Sequence, residues 1–501
     1  MRLLSPEMIL LLTGIVVLCV DFVWREGPSD EEPSQGEKTL WIPALALIGL
    51  GAALLAAILL WGAPPTVVLA MMAVDPFALF FKVVAITCVM LVILAAVPYL
   101  QGRTRFRGEF YALLVFAGLA ISLASAARNL ISLYLGMEFL SITSYVLAGY
   151  LRQDDKSNEA GIKYFLYGAV TSAVMLYGMS LLYGATGTTD LGGIATILAQ
   201  GSAMDPSLGR LAVASIVLML AGFGFKIVLA PFHQWAPDTY EGAPTPVTAF
   251  LSVGSKAAGF AILMRVFLTA LQNYRYEIGW MAFLMALSII SMALGNLIAL
   301  RQTNIKRMLA YSSIGQAGYI VIGVICLSLN VENNFLGVNG TLFYLFAYLF
   351  TNLAAFTAVI AFETATGSSE IADYRGLVKR APVVAGVLLL AMLSLAGVPG
   401  TGGFLGKFFV FGSAIQLGVP QTLALAIVGI VTSAIGAFYY LNVVRYMFFE
   451  PAEEGAEALS IPMGFKVGLG VTAALVLVIG IYPEPFIRFA TESIQMLAPM
   501  F

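Results

Sequence analysis

Residues 221–259 read AGFGFKIVLAPFHQWAPDTYEGAPTPVTAFLSVGSKAAG, and the rest of the chain is organised around this stretch. An apolar segment carries Lys226 in its middle and runs into Pro231, Pro237, Pro244 and Pro246; the next apolar segment carries Lys256. His233, the chain's one histidine, lies between the two lysines. An ammonium in hydrocarbon costs several kcal/mol or gives up its proton. Proline donates no backbone hydrogen bond, so carbonyls one turn before Pro231 are left free. Those carbonyls, and the water they hold, solvate an ammonium inside a membrane. The stretch therefore reads as a membrane helix interrupted beside a titratable group.

Working outward, the 501 residues are 60% hydrophobic and 11% charged, whereas a soluble chain carries about 25% charged residues. Apolar runs recur from end to end. We read an all-α polytopic membrane protein with about fourteen transmembrane helices. They lie near 5–24, 40–61, 77–100, 109–127, 129–150, 161–183, 211–230, 246–270, 278–300, 308–329, 338–362, 382–416, 421–446 and 462–482. The opening MRLLSPEMILLLTGIVVLCVDFVW is too long in its apolar part for a signal peptide and reads as the first span. Residues 25–39 are polar and rich in turn formers, a loop without chemistry, and the tail from 483 to 501 is expected on the membrane surface.

The composition also excludes. A net charge of −2 gives no reason for a nucleic-acid partner. Cys19, Cys88 and Cys326 sit singly in apolar runs and read as small core residues, not as disulfides or cluster ligands. With one histidine and no grouped thiols, no metal or haem site is expected. No phosphate-loop or dinucleotide fingerprint is present.

Charge fixes the parity of the spans. Loops after odd-numbered spans hold Arg25 and Lys38, Arg103, Arg105 and Arg107, Arg152 and Lys156, Arg301, Lys306 and Arg307, then Arg375, Lys379 and Arg380. Loops after even-numbered spans hold little beyond Arg128, Arg210 and Arg275. Basic loops face the cytoplasm, which puts both termini on the outer face. Lys226 with Pro231 and Pro399 with Lys407 fall five spans apart. An odd separation inverts their orientation, the pattern of inverted repeats with discontinuous helices, here helices 7 and 12. AFLSVGSK from Ala249 and AFYYLNVVR from Ala437 are a weaker echo.

Four intramembrane charges carry the functional reading. Glu138, in the middle of the fifth span, is a candidate partner that sets the proton affinity of Lys226. Lys256 and Lys407 stand in settings like that of Lys226, Lys407 just after the break at Pro399 to Gly403. His233, seven residues after Lys226, shares its helix face if the helix resumes, and would then relay protons near neutral pH. Lys163, near the start of the sixth span, either modulates Glu138 or snorkels to the interface. Lys82, Glu7 and Asp21, nearer span ends, read as anchors or local pairs.

The run KIVLAPFHQWAPDTYEGAPTPVTAFLSVGSKAAG resembles the most diagnostic stretch of subunit N of NADH-quinone oxidoreductase, respiratory complex I. SPEMILLLTGIVVLCVD, YLGMEFLSITSYVLAGY and IKYFLYGAVTSAVMLYGMSLLYG agree with it, and the likeness covers nearly the whole chain. PFHxWxPD is shared by all antiporter-like subunits; the continuation DTYEGAPTPVTAF is closer to subunit N than to L or M. The resemblance implies two inverted five-helix repeats, residues 109–270 (helices 4–8) and 278–446 (helices 9–13). Helices 1–3 (1–108) would precede them, and the last helix and tail (447–501) would follow. It implies that Glu138, Lys226, Lys256 and Lys407 translocate protons, with His233 and Lys163 as relay or modulating groups. It implies no cofactor in this subunit. FMN, iron–sulfur clusters and the quinone site would lie in partner subunits of the complex, in a bacterial inner membrane. Other readings remain open at this point: a multisubunit cation/proton antiporter, a ferredoxin-dependent or hydrogenase-type relative, or a purely structural subunit.

Overall fold

The computed structural model describes residues 2–24, 40–201, 206–271, 279–329, 335–452 and 455–495. The polar loop 25–39 with Arg25 and Lys38, Arg275, and the last residues of the tail lie outside the described residues. Among those described, thirteen helices are long and apolar enough to cross a membrane.

In chain order the helices begin with α1 (Ser5–Trp24), α2 (Trp41–Leu59), α3 (Pro76–Tyr99), α4 (Arg107–Ser125), α5 (Leu130–Ala148) and α6 (Asp155–Thr186). A short α7 (Leu191–Gly201), α8 (Pro206–Ile227) and α9 (Trp235–Gly242) follow. Then come α10 (Thr245–Ala270), α11 (Trp280–Ala299), α12 (Ile305–Leu329) and α13 (Phe335–Thr366). The chain ends with α14 (Pro382–Ala396), α15 (Gly402–Gln416), α16 (Pro420–Phe448), α17 (Met463–Ile481) and α18 (Glu484–Gln495).

Local chemistry sets several boundaries. Asp75 caps α3, its carboxylate accepting from the Ala78 N–H at 2.7 Å with Pro76 at the first helical position. Asn129 and Ser132 form a capping box at the start of α5. The seventh and twelfth apolar runs are broken. α8 stops at Ile227, and the twelfth run divides into α14 and α15, fifteen residues each and separated by Gly397–Thr401. Within α10, Leu251–Ser255 and Val266–Ala270 are π-helical turns, which sequence reading did not foresee. The all-α expectation needs one amendment. Thr66–Val68 and Met72–Val74 pair as an antiparallel hairpin, since β-branched residues flank a turn with positive φ at Leu69 and Ala70.

α10, α12 and α13 are almost wholly buried and form the centre. α1, α2, α6, α16 and α17 ring them and turn apolar side chains outward, among them Leu12, Ile48, Ile162, Phe438 and Ile481. Cys88 and Cys326 are buried, but Cys19 is exposed, because it falls on the outward side of α1. The expected local pair exists: Lys82 on α3 meets Glu7 on α1 at 2.5 Å, both buried.

The basic loops gather on one face. Lys156 approaches Glu241 at 3.7 Å, Arg307 holds Asp238 at 2.7 Å, and Arg103 stands 4.0 Å from Glu363. α18 packs by Phe486 and Phe489 on Phe346, and the Trp61 indole donates to Glu492 at 3.1 Å.

Candidate proton-transfer site

Lys226 is the penultimate residue of α8 and is buried. The chain leaves the helix at Val228, a β-branched residue with φ of 65°, a conformation that costs free energy and is found where a site demands it. The break is braced from outside. The Ala230 N–H donates to Ser291 Oγ at 2.9 Å, and the Trp235 indole donates to the Phe225 carbonyl at 3.1 Å. α10 closes on this turn at Gly259, where a Cβ would meet Ile227 at 2.5 Å and the Lys226 stem at 3.2 Å.

The Lys226 ammonium donates to Ser141 Oγ at 3.0 Å. Glu138, one turn earlier on α5, lies within electrostatic reach of it. Among the described residues no direct ion pair joins the two; Glu138 instead accepts from the Ser172 hydroxyl of α6. The carboxylate and the amine are neighbours held apart by serines.

His233 is not where helical continuation would put it. Residues 228–234 are turns, not helix, so the seven-residue spacing does not set His233 above Lys226. Its Nδ1 is buried without a hydrogen-bond partner. A further polar side chain of this region is Tyr164, stacked on Trp235 with ring centroids 4.2 Å apart. Its hydroxyl faces Ser144 and Ser255. Sequence reading did not single it out.

Lys256 donates to the Ser313 carbonyl at 2.6 Å and to the Ser313 hydroxyl, with its ammonium 5.6 Å from the Tyr348 ring centre. From here polar groups continue across α12. Ser312 Oγ and Tyr440 OH are 2.5 Å apart, and Gln316 Nε2 donates to Tyr440 OH and to the Leu395 carbonyl, each at 3.2 Å. Lys407 donates to that same Leu395 carbonyl at 2.7 Å. It also donates to the Ala396 carbonyl at 3.1 Å and Ser433 Oγ at 2.8 Å. These carbonyls are the C-terminal end of α14, where the helix dipole favours a cation. Gly397, with φ of 90°, ends α14; a Cβ there would meet the Lys407 stem at 3.1 Å.

Lys163 belongs to neither lysine site. It pairs with Asp238 and Glu159, each at 2.7 Å, and Asp238 is shared with Arg307. Burial alone would raise the Asp238 carboxyl, but the hydrogen bonds and charge of Lys163 and Arg307 outweigh it and hold it below the ordinary carboxylate range. Two further groups escaped sequence reading. Arg265 forms a two-pronged pair with Asp75, at 2.7 and 2.8 Å, almost wholly buried. Lys306, counted only as a loop charge, is buried and donates to the Ala243 carbonyl and to Thr245 Oγ1, each at 3.2 Å. An arginine inside an apolar run, with an Asp-Pro helix start available to it, was the signal for the first.

Broken helices around buried amines define the antiporter-like class of membrane subunit, and the comparisons agree. Residues 127–436 match the family described as NADH:quinone oxidoreductase/Mrp antiporter, TM. The subunit N of NADH-quinone oxidoreductase from Moorella thermoacetica is 44% identical over 427 residues, covering 85% of this chain and 86% of its own. A chain of respiratory complex I from Thermus thermophilus superposes with a TM-score of 0.78 at 31% identity, covering 97% of this chain and 99% of that one. A chain of the Mrp complex from Dietzia sp. superposes at 0.81, with 20% identity, over 100% of this chain and 97% of that one, a likeness of fold. The chain belongs to the NADH-quinone oxidoreductase subunit N family of antiporter-like membrane proteins.

Proposed function

We propose that this chain is a proton-translocating membrane-arm subunit of an NADH-quinone oxidoreductase, with Glu138, Lys226, Lys256 and Lys407 as its proton-carrying groups. The observation that carries the reading is a pair of polar clusters that meet on one turn of α12: Lys256 on Ser313, and, from the adjacent Ser312, Tyr440 and Gln316 to the carbonyl that Lys407 also binds. A purely structural lysine needs only one satisfied pocket; it does not need a buried file of hydroxyls leading to another lysine.

In the cycle we infer, Glu138 favours the charged form of Lys226. A rearrangement arriving from a neighbouring subunit draws Glu138 away, and the proton of Lys226 moves by water and the Tyr164 and Ser255 hydroxyls to Lys256. It continues along the Ser313–Gln316 file to Lys407 and leaves to the outer face. His233 would serve as a side relay, and Lys163 would act through Asp238 on the end of the broken helix. Residues 109–270 and 278–446 would be the two inverted repeats, with α14 and α15 together forming the twelfth of fourteen spans. Both termini would face outward across a bacterial inner membrane. Flavin, iron–sulfur and quinone chemistry would belong to partner subunits, which should co-purify in place of transport subunits alone.

The test is Lys226→Ala in the assembled complex, reconstituted in vesicles. The expected result is quinone reduction with a reduced proton-to-electron ratio. A full ratio would remove the central step.

A further inference from the structure

The cycle above fills Lys256 from Lys226, and the structure offers Lys256 a second approach, from the basic face. A proton reaching it from the basic face must cross the end of α10, and the structure has a carboxylate there. Glu363 stands in the last turn of α13, its side chain 12% exposed. Its Oε2 accepts from the Thr245 hydroxyl, at the first residue of α10, and from Ser369 Oγ at 3.4 Å. Its Oε1 accepts from Tyr99 OH at 3.4 Å and lies 4.0 Å from Arg103. Tyr374 also faces it, with a buried and unpaired hydroxyl. On the far side of the Thr245 hydroxyl stands the Lys306 ammonium.

This is not the geometry of a structural ion pair. Arg103 is at the limit of contact, and Lys306 spends its hydrogen bonds on Ala243 and Thr245, so neither cation clamps the carboxylate. Glu363 is held by hydroxyls, which accept and donate equally well. It also sits at the negative end of its own helix, where a carboxylate gains nothing from the dipole.

From Thr245 to Lys256 is eleven residues of helix, about 16 Å at 1.5 Å per residue. Tyr240 covers much of this gap. Its carbonyl accepts from the Thr248 hydroxyl at 3.0 Å, while its own hydroxyl, buried and unpaired, faces Ser313 and Tyr348. Ser313 is the residue that binds Lys256. Tyr348 is likewise buried and unpaired. Hydroxyls that face one another in a buried row can each accept a proton and donate one onward.

We propose that Glu363 is the proton-collecting group of the basic face and feeds Lys256 by way of Thr245, Tyr240 and Tyr348. The inference rests on the translocation reading above and adds to it an uptake site for Lys256 beside the transfer from Lys226. An O–H bond forms at Glu363 as a proton arrives from bulk water. It breaks as each intervening hydroxyl or water gains one proton and passes one on, and an N–H bond forms at Lys256.

The test uses the assembled complex in vesicles and compares Glu363→Gln, Glu363→Asp and Lys256→Ala for proton-to-electron ratio and quinone reduction across pH. Glu363→Gln should lose this subunit's share of pumping and shift the pH profile of coupled turnover, and Glu363→Asp should restore both. Loss in Lys256→Ala with a normal ratio and profile in Glu363→Gln would overturn the uptake role alone. Normal pumping in both would overturn the translocation reading itself. Should Glu363→Gln fail to assemble, a hydrophobic carbodiimide applied to the native complex replaces it. Labelling of Glu363, read by mass spectrometry and rising in step with lost pumping, supports the proposal. An unlabelled Glu363, or labelling without loss, overturns it.

Discussion

Lys226 and Lys407 are both buried amines beside a broken helix, yet their surroundings differ in kind. Lys407 spends three hydrogen bonds on two helix-terminal carbonyls and a serine, all fixed by the backbone or by packing. Lys226 has Ser141 and, without a direct ion pair, the nearby charge of Glu138. An ammonium offers three donors, so the first lysine is saturated by groups that cannot leave and the second depends on one that can. The difference suggests a division of labour. In the proposed cycle the first half of the chain would be where an outside event changes protonation, and the second half where a proton rests before release.

The comparison breaks most visibly when each amine is removed. Lys407→Met leaves the Ala396 carbonyl and the Ser433 hydroxyl without that donor in a half-buried site, and an unsatisfied group costs at most about 1–3 kcal/mol, the figure for full burial. Lys226→Met strands less, because the Ser141 hydroxyl keeps its bond to the Met137 carbonyl. Both variants should lose this subunit's pumping. Thermal unfolding of the purified complex should fall further for Lys407→Met, and equal losses would show that the two pockets are energetically alike.

Glu138→Gln comes next in size. It keeps the shape and the Ser172 contact but removes the charge that Lys226 senses. Coupled turnover should fall by about tenfold, a barrier change of about 1.4 kcal/mol, with assembly intact on a native gel. Wild-type turnover would mean that Ser141 alone suffices for Lys226.

The serines give a finer measure. Ser141→Ala removes the one side-chain hydrogen bond that Lys226 makes among the described residues, and a bond to a charged group contributes about 1.5–3 kcal/mol. Ser433→Ala leaves Lys407 two carbonyls and should cost about 1 kcal/mol or less. Proton-pumping rates of the two variants should therefore separate, with Ser141→Ala the slower.

Much of this was legible before the structure. The spans, both breaks and the buried lysines follow from a conflict readable in one dimension: charges where hydrocarbon should be, with prolines beside them. What was not legible depends on contacts between distant segments. Glu138 was expected to act on Lys226 as a charge partner, but which serines each of them binds is settled by how α5, α6 and α8 pack. The relay expected of His233 needed a helix that resumes, and the turn at Val228 takes it elsewhere. Tyr164 and Gln316 look like ordinary members of apolar runs, and Tyr240 like one more residue of the proline-rich break. Only the position of their polar tips, several ångströms from their backbone, gives them a role. Lys306 and Glu363 sit close enough to span ends to pass as interface charges, and no local pattern separates a buried end from a wet one.

The smallest effect concerns the tie between the two halves. Asp238, just after the break, is gripped by Lys163 of α6 and by Arg307 of α12, so one carboxylate joins the first half to the second. Its carboxyl is held below the ordinary range in the folded chain. The sign then follows from linkage: the folded state keeps the proton off more strongly than the unfolded state. The stabilisation is present above the ordinary carboxylate value, about 3.9, and disappears as pH falls through the lower folded value. Because the group is a third exposed, solvent screens the pair and the effect should be about 1 kcal/mol or less at neutral pH. Asp238→Asn should therefore lower the unfolding temperature of the complex slightly at pH 7 and converge with wild type on acidification. A deficit that persisted in acid would mean that Asp238 holds the halves together by shape and not by charge.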